Sequence, residues 1–390
     1  MSASVAEPTL RAGVERAPEL DITSGDPLNR LEKKLGLKPG SPPRPGRMVA
    51  ALLAVAVLPL LVLAGVTGTV PQLVVDPYFL RLLVALPLLE LISPTIARNV
   101  LRALAEFETT GLIAQEDLGR FRDAVARAKR MRDSRVALAV IIALSFGAEV
   151  FAESARSPFL GAWARNGERL TLAGSWYLYI SLALFHLVRL RWLWRVLVWW
   201  RFLFGMSRLP LRLMPAHPDQ AGGLGFLSNV TVSFAALVFG FGIGVGFEFR
   251  ARILAGAVKL SQLTIPMIAI SLFFILCIVT PLLFFVPQLT RAMWNGRLAY
   301  DGLASRYIRR FDERWLARAA PDGELLGSSD IQSLADLGNS CNLVRSMRPF
   351  PMNPRGLLPL AAAAALAMLP AIQAEVPIKD IVKMVMGALR

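Results

Sequence analysis

The chain has 390 residues, 55% of them hydrophobic and 18% charged, with a formal net charge of +15 and a mean hydropathy of +0.51. Soluble domains run at about 45–50% apolar and about 25% charged, so an ordinary soluble protein of this size is excluded. Several uncharged runs reach the roughly 20 residues that a bilayer core requires, and the two cysteines, Cys277 and Cys341, supply neither a disulfide nor a metal framework.

Residues 1–47 are rich in Pro, Gly, Ser and charge and read as a disordered cytoplasmic tail, with one weak amphipathic piece at 28–37. The first apolar span is 48–66, and its exit loop, 67–79, holds no Lys or Arg. The second span, 80–101, carries Arg81, Pro87, Glu90, Pro94 and Arg98, and its prolines predict a kinked or broken helix. A charged helical insert follows over 102–135. The third span, 136–152, contains Glu149, and a polar loop occupies 153–172.

The fourth span, 174–188, continues as a helix through a basic aromatic collar to about residue 206. A compact loop at 215–225 leads to the fifth span, 227–247, and then to the sixth, 263–286, bent by Pro266 and Pro281. Spans three to six thus occupy 136–287. Residues 288–355 form a second helical block, with helices over 289–319 and from a Ser329–Asp330 cap to 347. The chain closes over 356–390 with an apolar stretch, 356–371, and an amphipathic helix, 376–389.

Of the 43 Lys and Arg residues, 33 fall in the segments assigned to one side and 6 in the loops assigned to the other. By the positive-inside rule the N-terminus and the two helical inserts are cytoplasmic. The expected fold is an all-α polytopic transmembrane bundle of six or seven spans, depending on whether 356–371 crosses.

Glu90 lies mid-span, where a carboxylate costs a few kcal/mol and needs a partner or water. It is a candidate for an ion or proton pathway beside a broken helix, with Ser93 next to the break; the plainer alternative is a paired carboxylate that locks helices together, with Arg98 or His186 as neighbours. Glu149, near the end of its span, and His186, just before the first collar arginine, are weaker pathway candidates whose ordinary roles are interfacial and packing. In the collar, Arg189, Arg191, Arg195 and Arg201 are interleaved with Trp192, Trp194, Trp199 and Trp200. They follow the apolar span without the every-third-residue repeat of a voltage sensor, so they read as membrane-interface anchors for anionic headgroups.

The fifth span steps Gly240, Gly242, Gly244 and Gly246, two overlapping small-xxx-small pairs that predict close helix packing, within the chain or between subunits. The alternative is an unwound pore-lining segment. The loop offers His217 and Asp219, too few ligands for a metal site, and its glycines lack the Lys and Ser/Thr of a phosphate loop. Asp219 suits a cap for the fifth span. On the helix 300–319, Arg306, Arg310, Arg314 and Arg318 form an i, i+4 stripe suited to solvent or headgroups; no nucleic-acid module and no cofactor site is evident.

The strings His217-Pro218-Asp219-Gln220-Ala221-Gly222-Gly223-Leu224-Gly225-Phe226 and 330–340 (DIQSLADLGNS) resemble those of a group of bacterial multi-spanning inner-membrane proteins with no established activity. The resemblance covers about residues 48–389 and implies a bacterial inner-membrane setting; it carries over no catalytic residue. The leading functional expectation is a transporter or channel for an ion or small solute, with Glu90 on the broken second span as its charged pathway residue, acting as a homo-oligomer. A non-transporting scaffold or sensor working through the cytoplasmic helices is the alternative. A lipid-modifying enzyme built on His217 and Asp219 ranks third.

Overall fold

The computed structural model describes residues 20–37, 45–156, 160–167, 169–317, 329–377 and 379, with the backbone alone over 148–156. Helix α1 (Pro27–Lys34) opens on Asp26, whose side chain accepts from the Asn29 N–H, with Pro27 in the first turn, where a missing N–H costs nothing. Helices α2 (Gly46–Ala56) and α3 (Leu58–Val66) run almost head to tail and are parted at Val57, ahead of Pro59. The short α4 (Val70–Val75) leads to α5 (Pro77–Leu91), capped by Asp76.

Only Ile92 separates α5 from α6 (Ser93–Thr109), because Pro94 lacks the N–H that the Glu90 carbonyl would accept. Helices α7 (Leu118–Arg132) and α8 (Arg135–Arg156) follow, then a two-residue hairpin of β1 (Arg165–Asn166) and β2 (Arg169–Leu170). Helix α9 (Leu172–Trp176) passes through a π turn, Tyr177–Ser181, into α10 (Leu182–Met206). The remainder is α11 (Phe226–Ser233), α12 (Ala235–Leu254), α13 (Leu260–Val279), α14 (Val286–Trp315), α15 (Ser329–Arg345), α16 (Leu357–Ala367) and α17 (Leu369–Ile372).

The fold is all-α, as the sequence predicts. Among the described residues, five helical stretches are long and apolar enough to cross a membrane: Gly46–Val66, Pro77–Thr109, Phe226–Leu254, Leu260–Trp315 and Pro354–Ile372. They match the expected first, second, fifth, sixth and last spans. The expected third span lies in α8, whose side chains from 148 to 156 are not described, and the expected fourth span is not among the five: Arg189 closes its apolar stretch early. The expected amphipathic end, 376–389, lies almost wholly outside the described residues.

One expectation is corrected. The predicted tail is not disordered throughout: residues 20–34 are folded against the bundle, with Leu20 and Ile22 fully buried and α1 stacked beside α8. Residues 1–19 and 38–44 lie outside the described residues.

Helix α12 sits at the centre, and its glycines mark where neighbours come closest. A Cβ on Gly240 would meet Leu89 of α5 at 2.7 Å, one on Gly242 the Ala367 Cβ of α16 at 2.6 Å, and one on Gly244 the Phe185 ring of α10 at 3.0 Å. At Gly246 it would overlap the Ala367 carbonyl oxygen. The helix is continuous through all four, so the stepped glycines form a packing seam within the chain and not an unwound segment. Gly246→Ala is expected to destabilise the protein by about 1–3 kcal/mol through overpacking against backbone that cannot yield. Gly65→Ala, on an open face of α3 with nothing within 4 Å, is expected to be neutral or slightly stabilising in the same thermal-unfolding measurement.

Candidate functional site

Three polar clusters stand out, and the first gathers most of the residues singled out in the sequence. Glu90, in the last turn of α5, is 1% exposed, and Ser93 beside the helix break is 7% exposed. Facing them from α10 are Arg191 and Arg195, both buried and within electrostatic reach of Glu90. The Trp192 Nε1–H donates to the Leu89 carbonyl at 2.8 Å, tying α10 to the turn that carries Glu90.

The guanidinium groups are met by the folded N-terminal segment. Arg191 donates to Glu32 Oε1 at 2.5 Å and to both Asp26 oxygens at 3.1 and 3.2 Å. Arg195 donates to the Thr23 carbonyl at 2.9 Å, lies 3.5 Å from Asp26 Oδ2, and its guanidinium stands 4.8 Å above the Trp192 ring. Burial alone would raise the Asp26 carboxyl, but Arg191 and Arg195, with the Asn29 N–H, hold it down at about 2. Asp26 therefore does two jobs: it caps α1, and it fixes that helix on the arginines.

This corrects the anchor reading of the collar. Arg191, Trp192, Arg195 and Trp199 are buried inside the bundle and do not face headgroups. The Trp199 ring stacks with Phe202, the half-buried Trp200 donates to the Cys277 carbonyl at 2.8 Å, and Trp194 borders the small void beside Asp26 and Arg132. Arg201, by contrast, is exposed. Arg189 and His186 are half-buried and 3.4 Å apart on successive turns, with the Arg189 guanidinium over the Phe185 ring. Glu149 falls within α8, where its side chain is not described.

The second cluster lies at the far end of the same helix α5. Arg81, buried, pairs with Glu248 of α12 at 3.3 Å and donates to the Tyr177 hydroxyl at 2.6 Å, with its guanidinium over the Tyr78 and Phe185 rings. Arg81 and Glu90, nine residues apart, sit at two depths separated by about 13 Å of helix axis. Glu248 escaped the sequence reading because it lies one residue past the uncharged run, with its partner 167 positions earlier.

The third cluster is the 215–225 loop. Asp219 accepts the N–H groups of Ala221 at 2.8 Å, Gly223 at 3.2 Å and Gly225 at 2.7 Å, and the His217 Nδ1 lies 2.8 Å from its Oδ1. Burial raises the Asp219 carboxyl, but these three amides and His217 outweigh it and leave the group below its ordinary range. Gly223 holds a φ of +96°, with Leu112 packed at 3.0 Å of where a Cβ would be. Arg348 donates to the Asp219 carbonyl at 3.0 Å and clamps the loop to the segment after α15. Asp219 is committed to the loop's own amides and does not cap the fifth span as expected, because α11 opens on Gly225 with no side-chain cap. A cleft of about 480 Å³ opens beside it between Glu106, Asn229 and Asn353. Among the described residues no group of three or more His, Cys, Asp or Glu is placed to hold a metal ion.

No known protein family matches this chain, and no curated protein or solved structure matches it significantly.

Asp219→Ala strips three amides of their acceptor and is expected to cost roughly 2–4 kcal/mol, whereas His217→Ala, at a half-exposed side chain, is expected to cost less than about 1 kcal/mol. Because folding lowers the Asp219 pKa, its stabilisation is fully present above the ordinary carboxylate range and is lost as pH falls through the lowered value. Denaturation of both variants at neutral and acid pH checks the ranking and the sign.

Proposed function

We propose that this is an integral protein of a bacterial inner membrane that moves an ion or small solute, with the α1 end of the bundle in the cytoplasm. The observation that carries it is the placement of two buried charges, Arg81 and Glu90, at two depths of one helix that breaks immediately after the second. Charge at membrane depth is costly and is concentrated along substrate and ion routes, and a broken helix frees carbonyls for the same use. Each of the two levels is closed by side chains from other elements: Glu248 and Tyr177 at one, Arg191, Arg195 and the α1 segment at the other. On this reading the conformation is the shut state of the route, with Leu89 and Phe185 packed against the α12 glycines between the two levels.

A scaffold or sensor role is favoured by a different observation. Helix α14 projects as a long continuation of α13 and pairs with α15 through Trp315 Nε1–H to Asp330 at 3.0 Å and Tyr307 O–H to the Asp330 carbonyl at 3.0 Å. It leaves Trp294 and Leu298 exposed beside Arg297. Exposed Arg201, Arg208 and Arg212 at the same end suit anionic headgroups.

Ion currents in planar bilayers and solute uptake in proteoliposomes, wild type beside Glu90→Gln, decide between the two. Transport predicts a measurable flux whose rate or selectivity changes at least tenfold in the variant. Well-folded wild-type protein with no flux, together with loss of function on charge reversal along Arg306–Arg314, would establish the scaffold instead.

A further inference from the structure

Helices α5 and α10 do not neutralise their own buried charge at the α1 end. Of the charged side chains there, α10 contributes Arg191 and Arg195 and α5 contributes Glu90, which leaves one positive charge in excess. A guanidinium taken from water without a counter-charge costs several kcal/mol. Counter-charge comes from outside α5 and α10, as two carboxylates, Asp26 at the cap of α1 and Glu32 within it. Both meet Arg191, Glu32 at one terminal nitrogen and Asp26 at the other, and Asp26 also reaches Arg195, so the two guanidinium groups converge on carboxylate oxygens through charge-assisted bonds.

Part of the framework of this pocket is held by elements other than α1. The Trp192 indole is fixed by the Leu89 carbonyl and in turn supports the Arg195 guanidinium from below. Arg132, whose side chain is mostly buried, borders the same void, as do Trp194 and Ile141. A rigid pair of buried guanidinium groups with an aromatic floor is a recognition site for an oxyanion, and the chain's own acids fill it.

We propose that Arg191 and Arg195 form a binding site for a small soluble dianion bearing two carboxylates or a phosphate, and that Asp26 and Glu32 occupy it as a tethered ligand. A ligand tethered by a short chain competes at an effective concentration in the millimolar range. A free dianion at low concentration is therefore excluded until the tethered acids are weakened or displaced. The site stands apart from the transport proposal, since it concerns binding and would exist in a sensor as well.

The test measures succinate and inorganic phosphate binding to the purified full chain, by calorimetry and by shift in melting temperature, in wild type, Glu32→Gln and Asp26→Asn/Glu32→Gln. The expected result is an apparent affinity at least tenfold tighter in the double variant than in wild type, with Glu32→Gln between them. Adding Arg191→Gln should abolish the gain. Glu32→Gln leaves Asp26 between the two arginines, so it keeps the test valid if the double variant does not fold. Variants that melt lower than wild type and show no recovery with either anion would overturn the proposal and leave the acids as a structural latch. Recovery in nanodiscs of anionic lipid but not with succinate or phosphate would also overturn it, by assigning the site to a headgroup. Flux that depends on Glu90 without dianion binding would remove this site and leave transport standing; binding without flux would do the reverse.

Discussion

The contact on which the arrangement depends is the grip of Arg191 on Asp26 and Glu32. Two arginines one turn apart on α10 are turned inward, and a buried guanidinium without a counter-charge would destabilise the whole bundle. Meeting that demand brings residues 20–34 out of solvent, stacks α1 beside α8 and seats Leu20 and Ile22 in the core. Trp192, between the two arginines, extends the same point of contact to α5 through the Leu89 carbonyl. One turn of α10 thus joins three elements that are far apart in the chain.

Much of the bundle was readable because its signals are local. Pro94 removes one amide and the helix breaks where that amide would have bonded; four alternate glycines on α12 admit Leu89, Phe185 and Ala367. The 215–225 loop was legible as a compact turn because an Asx residue followed by glycines organises its own next few amides, as the bonds of Asp219 to Ala221, Gly223 and Gly225 do, although the cap expected on the fifth span is not formed.

The collar was misread for a physical reason. Tryptophan and arginine at the end of an apolar span have the same composition whether they face headgroups or a neighbouring helix. What distinguishes the two cases is the partner, and here Glu32 and Asp26 lie 159 and 165 positions earlier in a stretch whose composition suggests disorder. The pairing of Arg81 with Glu248 was hidden in the same way. A count of unmatched arginines on an inward helix face, set against nearby acids of any segment with a cap signature such as Asp26-Pro27, would have raised the first possibility.

The functional picture follows from these two layers of charge on α5. They give the helix one polar level near each end, with closely packed apolar side chains between them, and the N-terminal acids cover the arginines at one of those levels. The most direct measurement of that arrangement is hydrogen–deuterium exchange over residues 20–37 in the full chain, wild type beside Arg191→Gln/Arg195→Gln. The charge-grip account predicts amides of α1 protected by at least a hundredfold in wild type and near the unstructured rate in the variant. Wild-type amides of 27–34 exchanging at the rate of an unstructured peptide would contradict it.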